Sequence, residues 1–256
     1  MLNYQNKYFS ILGDSISTLA WRNPPECEVF YSLSQQLRSG VRVAEDTWWG
    51  RVVDALGGRM LVNNSWSGSL VCRHERCEIP SYGCSDARTS RLGWPGMTPD
   101  VIMVFMGMND WGRGMPVDES EVALGVGSDA RPDSNLAVFS VAYRVMLDKI
   151  RCNYPAAQLW CFTLPIARRA DFPYTYGGRH IDRYCEAIRE AATQVRQAAQ
   201  VTQAAKAFCH VVDLRRGEPY TAFDGFHPDA AGMKTIAETV LGEVQKWSAP
   251  DGDGES

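Results

Sequence analysis

Tyr8-Phe9-Ser10-Ile11-Leu12-Gly13-Asp14-Ser15-Ile16-Ser17 sets a small polar turn directly behind an apolar run. Tyr8, Phe9, Ile11 and Leu12 read as a short buried strand, and Gly13 lets the backbone break sharply into a loop. Ser15 then stands on the rim of a sheet, where ligands of open α/β folds collect at the carboxyl ends of strands. On this stretch alone, a nucleophilic Ser15 and a helix cap at Asp14 or Ser15 are equal readings.

Working outward, apolar runs alternate with helical spacing. Asp46 or Thr47 can cap a helix carrying Trp48, Trp49, Val52, Val53 and Leu56, ended by Gly57-Gly58. Of the adjacent Trp48 and Trp49, only one is expected to face the core squarely. Met60 to Val62 reads as the second strand, leading into the polar turn Asn63-Asn64-Ser65-Trp66-Ser67-Gly68-Ser69. Cys72 to Gly96 reads as loop with a short helix over Arg88 to Leu92. Val101 to Met106 is a continuous apolar run suited to a strand buried on both faces, followed at once by Gly107-Met108-Asn109-Asp110. A glycine-bearing connection through Gly125 and Gly127 leads to a helix over Asn135 to Arg151, and Gln158 to Leu164 is the fourth strand. A loop over Ile166 to Arg179, a helix from His180 or Asp182 to near Ala207, a fifth strand over Phe208 to Leu214 and a closing helix over Ala230 to Trp247 complete the pattern.

Such alternation predicts a three-layer α/β/α sandwich with a five-stranded parallel sheet in flavodoxin-like order. Residues 1–247 are expected to form one domain, with 22–46 an irregular insertion near the site and 248–256 a disordered acidic tail. The chain has 256 residues, 45% of them hydrophobic and 22% charged. No apolar run approaches the ~20 residues that span a bilayer, so no membrane association is expected. Its 26 basic and 30 acidic residues are interspersed, with a net charge of −4 and no basic stripe for a phosphate backbone. Nucleic acid is therefore not an expected partner. The first strand follows the N-terminus too closely for a secretory leader, so a cytoplasmic protein is expected unless a leader has been removed.

The most specific element comes last. Asp224-Gly225-Phe226-His227-Pro228 places a carboxylate three residues before an imidazole. The acid can accept from Nδ1 and leave Nε2 for a nucleophile. His74, His180 and His210 have no acid so placed and read as structural. With polar turns after the first, second, third and fifth strands, four blocks meet at one sheet edge.

Together these blocks resemble the SGNH, or GDSL-like, hydrolase superfamily over residues 11 to 228. The resemblance implies Ser15 as nucleophile, Asp224 and His227 as its triad partners, and an oxyanion hole from Ser15, Gly68 and Asn109. Ile16 stands where leucine is frequent, and Ser65 or Trp66 stands where glycine is common. The chemistry agrees: a serine hydroxyl needs a base to take its proton, and the tetrahedral intermediate needs donors. The expected activity is hydrolysis of small acyl esters, foremost O-acetyl groups on carbohydrate, with no metal or organic cofactor. A lipase, thioesterase or acyltransferase would share the triad, and a silent glycan- or protein-binding module would share the fold. Trp66, Trp111 and Arg179 are the candidate substrate contacts, the tryptophans by stacking on a sugar ring or an apolar acyl group; packing within the loops is an equal reading for the tryptophans, and a solvated loop the alternative for Arg179. Eight cysteines are read mostly as buried thiols. Cys72, His74, Cys77 and Cys84 lack the paired spacing of a structural zinc site.

Overall fold

The computed structural model describes residues 3–74, 81–121, 134–201 and 209–247. The tail 248–256 and the connection through Gly125 and Gly127 lie outside the described residues. Five strands form one parallel sheet: β1 (Tyr8–Gly13), β2 (Arg59–Ser65), β3 (Val101–Phe105), β4 (Gln158–Phe162) and β5 (Cys209–Val212), in the order β2-β1-β3-β4-β5. This is the flavodoxin-like order expected. The direction of winding reverses between β1 and β3, so a crevice opens beyond their carboxyl ends. β3 is buried at all five positions, as its unbroken apolar run requires when helices cover both faces.

Helix α2 (Trp48–Ala55) packs on α7 (Ala230–Lys246), and α5 (Phe139–Asn153) packs on α6 (Ile181–Val201). Thr47 caps α2 by accepting from the Gly50 N–H, and Asp229 caps α7 by accepting from the Gly232 N–H at 2.7 Å. Both tryptophans of α2 are buried although they are adjacent helical positions. Their indole N–H groups explain it: Trp48 donates to Ser17 Oγ at 3.2 Å and Trp49 to the Ser17 carbonyl at 3.0 Å. The turn after β1 thus has polar groups for both rings, and α2 is seated against it.

Several boundaries differ from the sequence reading. β2 runs through Asn63, Asn64 and Ser65, expected as a turn, because these polar side chains find partners inside the protein: Asn63 Nδ2 donates to Ser17 O, Asn64 Nδ2 to Arg88 O, and Ser65 Oγ to Asn63 Oδ1. Segment 22–46 contains a helix, α1 (Leu33–Ser39), rather than being wholly irregular. Helix α3 occupies Asp86–Thr89, started by the Ser85 cap and ahead of the expected 88–92. A two-residue hairpin, Thr175–Tyr176 with Arg179–His180, lies in the stretch expected as loop. Helix α6 is described to Val201. No helix among the described residues is long and apolar enough to cross a membrane.

Gly13 ends β1 where nothing larger fits. A Cβ there would lie 2.6 Å from Ser65 Oγ and 2.9 Å from Ser17 Cβ. Gly13→Ala is therefore expected to destabilise the protein by about 1–3 kcal/mol through overpacking, measured by denaturant unfolding; a midpoint equal to wild type would show that the turn can yield.

Candidate active site

The turn after β1 is a short 3-10 segment, Ser15–Ser17, capped by Asp14, whose Oδ1 accepts from the Ile16 N–H at 3.1 Å. Asp14 is fully buried; burial outweighs that hydrogen bond and raises its carboxyl to about 7. Thr18 Oγ1 donates to the Ser15 carbonyl at 2.8 Å and accepts from the Phe30 N–H at 3.0 Å. These contacts hold Ser15 at the mouth of the crevice between β1 and β3.

After β5, Asp224 and His227 meet within one turn. Asp224 Oδ1 accepts from the backbone N–H of Phe226 at 2.9 Å and of His227 at 2.7 Å, while Oδ2 lies 2.8 Å from His227 Nδ1. With Nδ1 protonated and donating to Asp224, Nε2 is left to accept from the Ser15 hydroxyl at 3.1 Å. Ser15 and His227 are 212 residues apart in sequence, so this contact is made by the sheet. Burial works to raise the Asp224 carboxyl, but the two N–H groups and the imidazole overcome it and hold it below the ordinary carboxylate value. Burial lowers His227 below its ordinary value, with Asp224 opposing part of the shift.

Asn109 opens α4 (Met108–Gly112) directly after β3. One N–H of its amide donates to the Ser69 carbonyl at 3.0 Å, and Nδ2 carries a second. Asp110, fully buried, accepts from the N–H of Val71 at 2.9 Å and of Cys72 at 3.0 Å, and so ties the loop after β2 to α4. Gly68 lies in that loop at φ +75°, a left-handed conformation that favours glycine, with open space where a Cβ would stand. The backbone N–H groups of Ser15 and Gly68 have no acceptor among the described residues.

Ser15, Ile16, Met108, Asn109, Phe226 and His227 line one cavity of about 310 Å³, completed by Gly112 and Arg113. Gly68 is outside that lining, on the turn whose next residue, Ser69, holds Asn109. A cavity of about 400 Å³ lies at the opposite edge, against Tyr4, Lys7, Asp100 and Gln158 near the amino ends of the strands. It has no group arranged as nucleophile and base.

The three residues expected to contact substrate are not brought to this cavity. Trp111 is fully buried, stacked on Phe172 at 5.4 Å, with its indole N–H donating to the Tyr174 carbonyl. It braces α4 against the loop before α6 and cannot present a face to a sugar. Trp66 is half-buried and outside the lining. Arg179 is paired with Glu121 and donates to the carbonyls of Gly114 and Gly177. For Trp111 and Arg179 the ring face or the polar end of the side chain is engaged by partners within the protein.

Phe30 is the aromatic residue that sequence reasoning missed. Its ring stacks on His227 with centroids 3.4 Å apart and planes 13° from parallel. Neighbouring Tyr31 donates its hydroxyl to the Pro228 carbonyl at 2.7 Å. An aromatic pair within an otherwise polar insertion was the available signal, and the 22–46 segment does reach the site through it. Among the described residues no cluster could hold a metal ion. Cys72 and Cys84 are buried free thiols and Cys152 is exposed; Cys77 lies outside the described residues.

A doubly wound sheet with a serine, an imidazole and a carboxylate in hydrogen-bond contact at its switch point defines an ester hydrolase of the SGNH type. Residues 7–164 match the family model of GDSL-like lipases and acylhydrolases, and the chain belongs to that family. Among solved structures it is similar to a GDSL-like lipase from Bacteroides ovatus (22% identity over 94% of this chain and 99% of the other, TM-score 0.67). A GDSL-like lipase from Bacteroides uniformis is similar at 25% identity (94% and 96% covered, TM-score 0.65). A carbohydrate esterase family 2 enzyme with a carbohydrate binding domain, from Corynascus thermopiles, shares the fold at 19% identity (97% and 69% covered, TM-score 0.58). No curated protein matches.

With His227 as the general base, its lowered value predicts the pH dependence. The base must be neutral, so kcat/KM should hold below pH 6.5, the ordinary histidine value, and fall only as pH drops through the depressed value. Phe30→Ala would admit water to the imidazole and move this acid limb upward toward 6.5. A pH–rate profile with an unmoved limb would mean that Phe30 does not shield the base.

Proposed function

We propose that this ester hydrolase works through Ser15, His227 and Asp224, and that its substrates are small acyl esters, foremost O-acetyl groups on carbohydrate. The observation carrying the mechanism is the 3.1 Å contact of Ser15 Oγ with His227 Nε2, backed by the 2.8 Å contact with Asp224. Ser15 Oγ attacks the ester carbonyl as its proton passes to Nε2, and Asp224 stabilises the imidazolium. The oxyanion is received by the N–H groups of Ser15 and Gly68 and by the free amide N–H of Asn109, each worth about 3–4 kcal/mol in a preorganised site. The imidazolium then protonates the departing alcohol. Water, activated by the same His227, releases the acid from the acyl-enzyme. Asp14 takes no proton in this scheme and serves to hold the turn.

A short acyl group is supported by the modest volume of the cavity and by its apolar wall of Ile16, Met108 and Phe226. Carbohydrate as the alcohol is supported by the likeness of the fold to a carbohydrate esterase. The tryptophan stacking once expected for it gives no support, since Trp111 is buried.

Ser15→Ala should abolish hydrolysis of 4-nitrophenyl acetate with the fold intact by circular dichroism; retained turnover would overturn the mechanism. Asn109→Ala should lower kcat by about a hundredfold or more, and a raised KM at unchanged kcat would instead make Asn109 a substrate-binding group. Rates on acetylated sugars against 4-nitrophenyl esters of graded chain length test the substrate: a rate rising beyond butyrate would overturn the acetyl reading.

A further inference from the structure

Among the described residues that line the cavity, Arg113 is the one with a permanently charged side chain. It lines the same space as Ser15, one helical turn beyond Asn109, to whose carbonyl its backbone N–H donates at 3.0 Å. No acidic side chain among the described residues lines that space. Arg113 is exposed, and its side chain has no hydrogen-bond or ion-pair partner among the described residues.

The neighbouring arginines differ. Arg169, which reaches the Gly225 turn, is held in a two-pronged pair with Asp171 at 2.8 and 2.7 Å. Arg179 is paired with Glu121, and Arg183 with Asp118 and Glu121. Each of these has a carboxylate beside it to offset its charge.

A free guanidinium offers a planar fork of donors matched to a carboxylate, and at the edge of a low-dielectric cavity its field is focused on whatever enters. We propose that the substrate carries a carboxylate close to the scissile ester and that Arg113 recognises it. This rests on the esterase reading and adds the charge of the substrate to it. The carboxylate belongs either to the alcohol, as in an acetylated uronate, or to the acyl group, as in a hemisuccinate. Arg113 contributes to recognition and takes no part in bond making.

Two matched pairs test it. On the alcohol side, acetylated methyl glucuronoside is compared with acetylated methyl glucoside; on the acyl side, a hemisuccinate ester is compared with the butyrate of the same alcohol. In one arm kcat/KM should favour the acidic member by about tenfold or more, mainly through KM, and the preference should shrink as salt is raised. Arg113→Gln should bring that ratio to within about twofold of one, while Arg113→Lys should keep part of it. Ratios near one in both arms, or a preference that survives in Arg113→Gln, would overturn the proposal. Absence of Ser15-dependent hydrolysis of the neutral esters would instead sink the esterase reading. Calorimetric titration of glucuronate and succinate into Ser15→Ala protein decides the anion site without turnover: binding lost in Ser15→Ala/Arg113→Gln supports it, and no binding to either protein counts against it.

Discussion

The Arg88 guanidinium lies 2% exposed behind the strand ends, and a charge buried there costs several kcal/mol unless hydrogen bonds replace the lost water. Nη1 donates to Ser69 Oγ and the Ser81 carbonyl, each at 2.8 Å; Nη2 donates to the carbonyls of Gly13 and Asn64, each at 2.9 Å. Burial lowers its pKa only to about 10, with Cys27 and the Asp14 carboxyl acting against the shift, so it remains charged at neutral pH. The four acceptors belong to the end of β1, the end of β2 and the loop that carries Gly68. Separating any of these would strand part of a buried cation. One side chain therefore fixes the backbone on which the nucleophile turn and a proposed oxyanion donor both depend.

From that constraint the site divides into two parts of different character. The Ser15 and Asn109 side is built of buried groups answering one another, with Asp110 holding Val71 and Cys72 and Asn109 holding Ser69. Donors aimed by such a lattice need not reorganise when charge develops. The His227 side is a loop secured at its edges: Tyr220 donates to the Phe226 carbonyl at 2.6 Å, Tyr31 to that of Pro228, and Asp229 caps α7. Phe30 covers the imidazole face from a different segment. His227 is thus held by other residues than those that hold Asn109, and Thr18, bonded to both Ser15 and Phe30, links the two sides.

The strands and the Asp224–His227 pair were legible because each follows from local pattern, whereas Ser15, 212 residues from His227, was joined to that pair through the resemblance of the four blocks to a known family. Alternating apolar runs give the strands, and three-residue spacing joins an acid to an imidazole. What was not legible depends on partners distant in sequence. Asn63 and Asn64 read as turn residues until Ser17 and the carbonyl of Arg88 are found beside them. Arg88 itself reads as an ordinary helical arginine, since nothing nearby shows that four acceptors converge on it. The seat of Trp111 was not legible for a related reason: Phe172, Tyr176 and Phe226, which surround it, and the carbonyl that takes its N–H are all distant in sequence.

Burial of Trp111 has a further consequence for selectivity. Because that indole fills the space beneath α4, the helix is fixed from below, and its outward residues are presented at set positions. Asn109 and Arg113 lie one turn apart on it and line one cavity. The proposed oxyanion donor and the proposed reader of substrate charge are then both borne by the same braced element. Helix geometry thus sets the backbone separation of Asn109 and Arg113, while the long Arg113 side chain leaves the span to a substrate anion adjustable.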